Sequence, residues 1–252
     1  MDKYILECCV DSVESAIEAQ NGGANRLEVC SNLIIGGTSP SLALFKNIKK
    51  SVDIKLNVLL RPRFGDFLYT ENEFNIIKEE IKMFKDDGAD GVVIGCLKSD
   101  GTLDIEKMEE LIKEAKGMHI TLHRAFDVMK DPYEGLEQAK SLGINTILTS
   151  GQKNSALEGK TLIKELVEKA SSHIEILVGS GVNANVIKQF LEDTNASAFH
   201  MSGKVTLDSG MIYRKENVSM GLDTMSEYEI WQTDSEKIKE ARAVLETLNN
   251  NN

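Results

Sequence analysis

Eight short apolar or β-branched runs, each followed by a stretch of helical period, constrain this chain more than any other feature. The strand-like runs fall at 4–10, 26–29, 55–60, 91–94, 119–122, 146–148, 175–178 and 198–201. Helical stretches follow at 12–20, 41–50, 73–86, 105–116, 132–142, 157–170 and 183–191. After the eighth run comes a long irregular connection, then an amphipathic helix over 234–248. Strand and helix alternating eight times predict an α/β chain closed into a parallel (β/α)8 barrel of the TIM type, rather than an open doubly wound sheet. The length of 252 residues suits one such barrel. With three prolines and no linker, one domain over 1–248 is expected, and the polar tract 249–252 is expected to fray. Gly88 and Gly143 stand where left-handed residues end helices, and Ser12, Asp104 and Asp131 where side-chain oxygens cap helix starts.

Charge narrows the partners. The chain carries 29 basic and 40 acidic residues, a net charge of −11, which repels nucleic-acid phosphates and anionic lipid. No nucleic acid and no membrane are therefore expected as partners. No basic-then-apolar leader opens the chain, and no apolar run approaches the roughly 20 residues that span a bilayer. A cytoplasmic location follows as the expectation. The four cysteines, Cys8, Cys9, Cys30 and Cys96, are too few and too clustered for a disulfide scaffold, and a reducing compartment keeps them as thiols.

Polar chemistry recurs at the C-terminal ends of the predicted strands, the end that carries the active sites of such barrels. Thr121-Leu122-His123-Arg124-Ala125-Phe126-Asp127 packs an imidazole, a guanidinium and a carboxylate into five positions. Arg61-Pro62-Arg63-Phe64-Gly65-Asp66 repeats the arrangement after strand three, and His200 and Ser202 follow it on strand eight. Period-two alternation puts Glu7 and Cys9 on one face of strand one, Cys8 on the other, and Glu28 and Cys30 on one face of strand two. Adjacent strands lie about 4.8 Å apart, so Cys9 and Cys30 at equivalent heights could share one soft ion or sit as two unligated buried thiols. His119 and His123 are about 13 Å apart along a strand, too far to chelate jointly. His123 is the better acid-base candidate, with Asp127 placed to orient it. Gly179, Ser180 and Gly181 after strand seven, with Ser202 and Gly203 after strand eight, stand where such barrels bind anions through backbone N–H groups. No lysine takes an obviously inward position at a strand end, which disfavours Schiff-base chemistry.

The motifs Leu6-Glu7-Cys8-Cys9-Val10-Asp11-Ser12, Asn25-Arg26-Leu27-Glu28-Val29-Cys30, Arg61-Pro62-Arg63 and His123-Arg124-Ala125-Phe126-Asp127 resemble the CutC copper-homeostasis family. The likeness continues through Gly36-Gly37-Thr38-Ser39-Pro40-Ser41, Leu148-Thr149-Ser150-Gly151 and Ser209-Gly210-Met211, essentially end to end. The resemblance implies a (β/α)8 barrel, a cytoplasmic and often oligomeric protein, and a copper role with Cys9 and Cys30 as Cu(I) ligands. Phe64 stands where that family usually has glycine and is expected to narrow the mouth; Leu122 replaces a usual phenylalanine.

Two readings remain open at this point. In one, copper is bound through Cys9 and Cys30, Glu7 and Glu28 tune the site, and nothing is turned over. In the other, a TIM-barrel lyase or isomerase acts on a small anionic or phosphorylated metabolite. Arg61 and Arg124 would clamp its charge, and His123, oriented by Asp127, or a carboxylate at Glu7, Glu28 or Asp66 would serve the proton chemistry.

Overall fold

The computed structural model describes residues 3–218, 220 and 226–247. Eight parallel strands close into one barrel: β1 (Ile5–Val10), β2 (Arg26–Val29), β3 (Lys55–Leu59), β4 (Gly91–Ile94), β5 (His119–Leu122), β6 (Thr146–Thr149), β7 (Glu175–Val178) and β8 (Ala198–Met201). The order around the barrel is the order in sequence, and β8 pairs with β1 to complete it. Helices α1 (Val13–Asn21), α2 (Leu42–Ser51), α3 (Glu71–Asp86), α4 (Ile105–Glu114), α5 (Pro132–Ser141), α6 (Lys160–Ala170) and α7 (Ala184–Asp193) cross back between successive strands. Side chains on the outward strand faces, such as Leu6, Cys8, Leu27, Val58 and Ile94, form the large core beneath these helices.

The helices begin where side-chain oxygens can take up free backbone N–H groups. Ser12, Asp104 and Asp131 cap α1, α4 and α5 as expected, and Thr70 with Glu73 forms a capping box on α3. Gly88 and Gly143, at φ +76° and +71°, supply the left-handed residues just past α3 and α5.

The described part of the connection after β8 holds regular structure that its sequence does not suggest. It contains an antiparallel ribbon of β9 (Lys204–Asp208) and β10 (Glu229–Thr233), then α8 (Ser235–Thr247). The ribbon is largely exposed on both faces, so it lacks the apolar alternation that marks a half-buried strand. Residue 248 and the expected fraying tract 249–252 lie outside the described residues. Among the described residues no helix is long and apolar enough to cross a membrane.

Candidate functional site

The inside of the barrel is unusually polar toward both ends. Such barrels fill mainly with branched apolar side chains. Here Arg26, Glu7, Glu28, Asn57, Thr121, His123, Thr146 and His200 are all buried. Register explains how they meet. β2 places Arg26 opposite Glu7, and closure of the barrel places His200 opposite the same Glu7. Arg26 Nε donates to Glu7, and its Nη2 donates to Glu175 at 3.1 Å. His200 Nδ1 lies 2.8 Å from the other Glu7 oxygen, and its Nε2 lies 3.8 Å from Glu28.

Burial alone would raise the Glu7 carboxyl, but Arg26 and His200 outweigh it and bring it down to about 2. Glu28 lacks such compensation, and burial lifts it to about 7 despite His200. Burial would strip His200 of its proton, yet the charges of Cys9 and Glu28 and hydrogen bonds to Cys9 and Glu7 hold it well above the ordinary histidine value. Glu7, Glu28 and His200 bring ligand atoms within 4.8 Å of one another. A divalent ion there would have to displace the His200 proton and compete with Arg26 for Glu7.

Above this layer opens a cavity of about 520 Å³, at the C-terminal ends of the strands. Cys9, Glu28, Arg61, His123, Arg124, Asp127, Ser180, Gly181, His200, Ser202 and Lys204 border it. Of the anticipated anion loop, Gly179 packs against Leu148 and Gly203 against Ile238, while Ser180, Gly181 and Ser202 face the cavity. Cys30 is fully buried behind Cys9, in one apolar cluster with Leu59 and Val93, and its thiol donates to the Val10 carbonyl at 3.4 Å. Burial pushes that thiol far up. Cys8 faces the outer core and donates to the Ser202 carbonyl.

Several expectations change in three dimensions. Cys9 pairs with Glu28, so Cys30 stands two residues further along its strand rather than at the same height. Asp127 does not orient His123: it accepts from Thr149 Oγ1 at 2.5 Å, from the Ser150 amide at 3.0 Å and from Arg124 at 2.7 Å, tying the β6 loop to the turn after β5. Asp66 is exposed and pairs with Arg63 at 2.8 Å, away from the cavity. Phe64 is 65% exposed and does not narrow the mouth. Lys204, just past β8, does border the cavity, its Nζ 2.9 Å from the centroid of the Trp231 ring.

His123 is a different kind of candidate from the one its sequence suggests. Its Nδ1 accepts from the Ala125 amide at 3.2 Å, and burial, aided by Arg61, lowers it to about 3. A ring so held stays neutral and offers Nε2–H as a donor; it is not a base. An unfolded histidine takes its proton near pH 6.5. The unfolded state therefore binds one more proton between about pH 3 and 6.5, and the stabilisation present above that window is lost as pH falls through it. With His123→Phe that loss disappears. Urea unfolding at pH 4 to 6 is expected to show the native protein losing up to about 1.4 kcal/mol per pH unit more than the variant. Equal slopes would refute the neutral buried state.

Comparison with known proteins agrees with this architecture. The profile of the CutC family matches residues 4–205. The human copper homeostasis protein cutC homolog is 42% identical over 97% of this chain and 90% of its own length. A family protein CutC of Parabacteroides distasonis is 46% identical over 94% of this chain and 98% of its own. The solved structure of a CutC protein from Streptococcus agalactiae superposes with a TM-score of 0.75 at 32% identity, over 79% of this chain and 98% of that one. A thiamine phosphate pyrophosphorylase of Pyrococcus furiosus, at 17% identity and a TM-score of 0.58, covers 98% of both chains and shares the fold alone. By sequence match along nearly its whole length and by fold, the chain belongs to the CutC family.

Proposed function

We propose that this chain is a cytoplasmic copper-homeostasis protein that takes Cu(I) as cargo between Cys9 and Cys30 at the barrel mouth. One observation carries the reading: the two thiols share a buried apolar cluster on the inner wall, with Cys9 at the cavity surface. Thiolates in such a setting prefer a soft ion to the hard cations that carboxylates hold. With β1 and β2 in this register, the two backbones are about 8 Å apart at these residues, beyond disulfide reach but within the span of two side chains converging on one ion. Binding requires the Cys30 thiol to leave the Val10 carbonyl and give up its proton.

The names of the human and mouse relatives support the copper role. All four cysteines are free and buried, which suits a reducing compartment. The test is anaerobic competition with a Cu(I) chelator, comparing the native protein with Cys9→Ala/Cys30→Ala. Self-association completes the reading. Met211, Ile212 and Tyr213 stand 58%, 100% and 71% exposed beyond β9, which supports a face for a second copy. Light scattering is expected to show an oligomer whose mass falls with Ile212→Asp; a monomeric native protein would refute this part.

A further inference from the structure

Among the described residues, two buried N–H groups on side chains that border the cavity have no hydrogen-bond acceptor, Arg61 Nε and His123 Nε2; the Tyr69 hydroxyl, close to Arg61, is likewise unpaired. Arg61 and His123 are both more than nine-tenths buried, at 8% and 3% exposure. Each is fixed from behind. Arg61 Nη1 donates to the Gly36 and Gly37 carbonyls at 3.3 and 3.1 Å, and Nη2 to the Gly65 carbonyl at 2.8 Å. His123 is held through Nδ1 by the Ala125 amide, which leaves its proton on Nε2. Phe67 packs against both, 5.1 Å from the guanidinium carbon and 4.7 Å from the imidazole centroid. A buried donor without an acceptor is destabilising, and folded proteins rarely tolerate two side by side unless a ligand supplies what is missing.

We propose that these two N–H groups hold the carboxylate of a small organic acid, whose carbon body lies against the apolar cavity wall. The site offers one guanidinium, already engaged by three carbonyls, and one neutral imidazole N–H. That pair matches a single negative charge spread over two planar oxygens better than it matches a phosphate dianion. Leu33, Ile35, Leu59 and Leu148 supply an apolar stretch of the wall for the ligand's carbon body, while Glu28, Arg124, Asp127 and Lys204 also border the cavity. The cavity, about 520 Å³, falls within the range of small-molecule sites. This narrows the anionic-metabolite expectation to carboxylic acids and goes beyond the copper reading, since neither donor is a thiol.

Trp231 is the only tryptophan of the chain and borders the same cavity, so its emission reports occupancy. Metal-free protein is titrated with acetate, butyrate, pyruvate, succinate and inorganic phosphate. A saturable change is expected with at least one monocarboxylate and none with phosphate. His123→Phe keeps a ring against Phe67 but has no N–H, and is expected to weaken binding at least about tenfold, as loss of a hydrogen bond to a charged acceptor does. Arg61→Lys keeps the charge without the Nε–H and is expected to act likewise. Circular dichroism establishes that each variant folds, and either folded variant suffices for the decision. Saturation by phosphate in place of carboxylates, no saturation by any carboxylate, or unaltered affinity in a folded variant would overturn the proposal. Because no copper enters the titration, its failure and that of the Cu(I) reading are separate results.

Discussion

Alanine at both Cys9 and Cys30 is expected to lower Cu(I) affinity by several orders of magnitude, while alanine at Cys8 or Cys96 leaves it essentially unaltered. The contrast follows from which way each thiol faces. Cys9 and Cys30 share the inner cluster, so their loss leaves no thiolate at the mouth: the carboxylates, imidazoles, guanidinium groups and amine there are poor matches for a soft monovalent ion, and the single Met201 thioether holds one only weakly. Cys8 is one residue from Cys9 but on the opposite face of β1, under the helices. Cys96 lies in the outer core, its thiol raised to about 12 by burial and Asp104. Each single variant at Cys9 or Cys30 should lose most of the affinity, since one thiolate alone holds Cu(I) weakly. Anaerobic chelator competition on the native protein and the five variants reads the effect directly. Equal affinities throughout would sink the copper site and leave the mouth to small-molecule chemistry.

What the sequence made legible was whatever depends on local period. The eight strand positions, the inward facing of Glu7, Cys9, Glu28 and Cys30, and the capping residues Ser12, Asp104 and Asp131 all follow from alternation and side-chain chemistry within a few residues. What depends on register between strands was hidden. The pairing of His200 with Glu7 arises only when β8 closes on β1, nearly two hundred residues away in sequence, and so no local pattern assigns it a role. The offset between Cys9 and Cys30 has the same origin. His123 was visible as a site residue, but its character as a neutral donor comes from the Ala125 amide and from burial beside Arg61, both products of the folded turn. Lys204 was missed because it begins a ribbon with no apolar alternation, just beyond the last barrel strand. Asp127 was read as a partner for the nearest imidazole, yet the β6 loop offers it several hydrogen-bond donors at once.

Arg26→Met is expected to be among the most damaging single substitutions in the barrel, at about 3–5 kcal/mol, because it leaves a buried carboxylate without its main counter-ion. Arg26 is 5% exposed and reaches Glu7, which is fully buried, and Glu175 at the base of β7. Without the guanidinium, Glu7 keeps only His200 against the cost of burial that its neighbours now outweigh. In a chain of this size the loss corresponds to a fall in melting midpoint of about 6–20 °C. Lys78→Met serves as the control, since its pair with Glu110 lies at the surface and solvent screens it; its midpoint should not move measurably. The double variant Arg26→Met/Glu7→Gln removes both charges and is expected to recover much of the loss, because a neutral amide tolerates burial beside His200 far better than an unpaired carboxylate. That recovery separates charge from shape. If the double variant is as unstable as Arg26→Met, the arginine matters for packing through its aliphatic stem. If Arg26→Met itself melts like the native protein, Glu7 is not ionised in the folded barrel, and the charge layer beneath the thiols must be redrawn with its proton on Glu7.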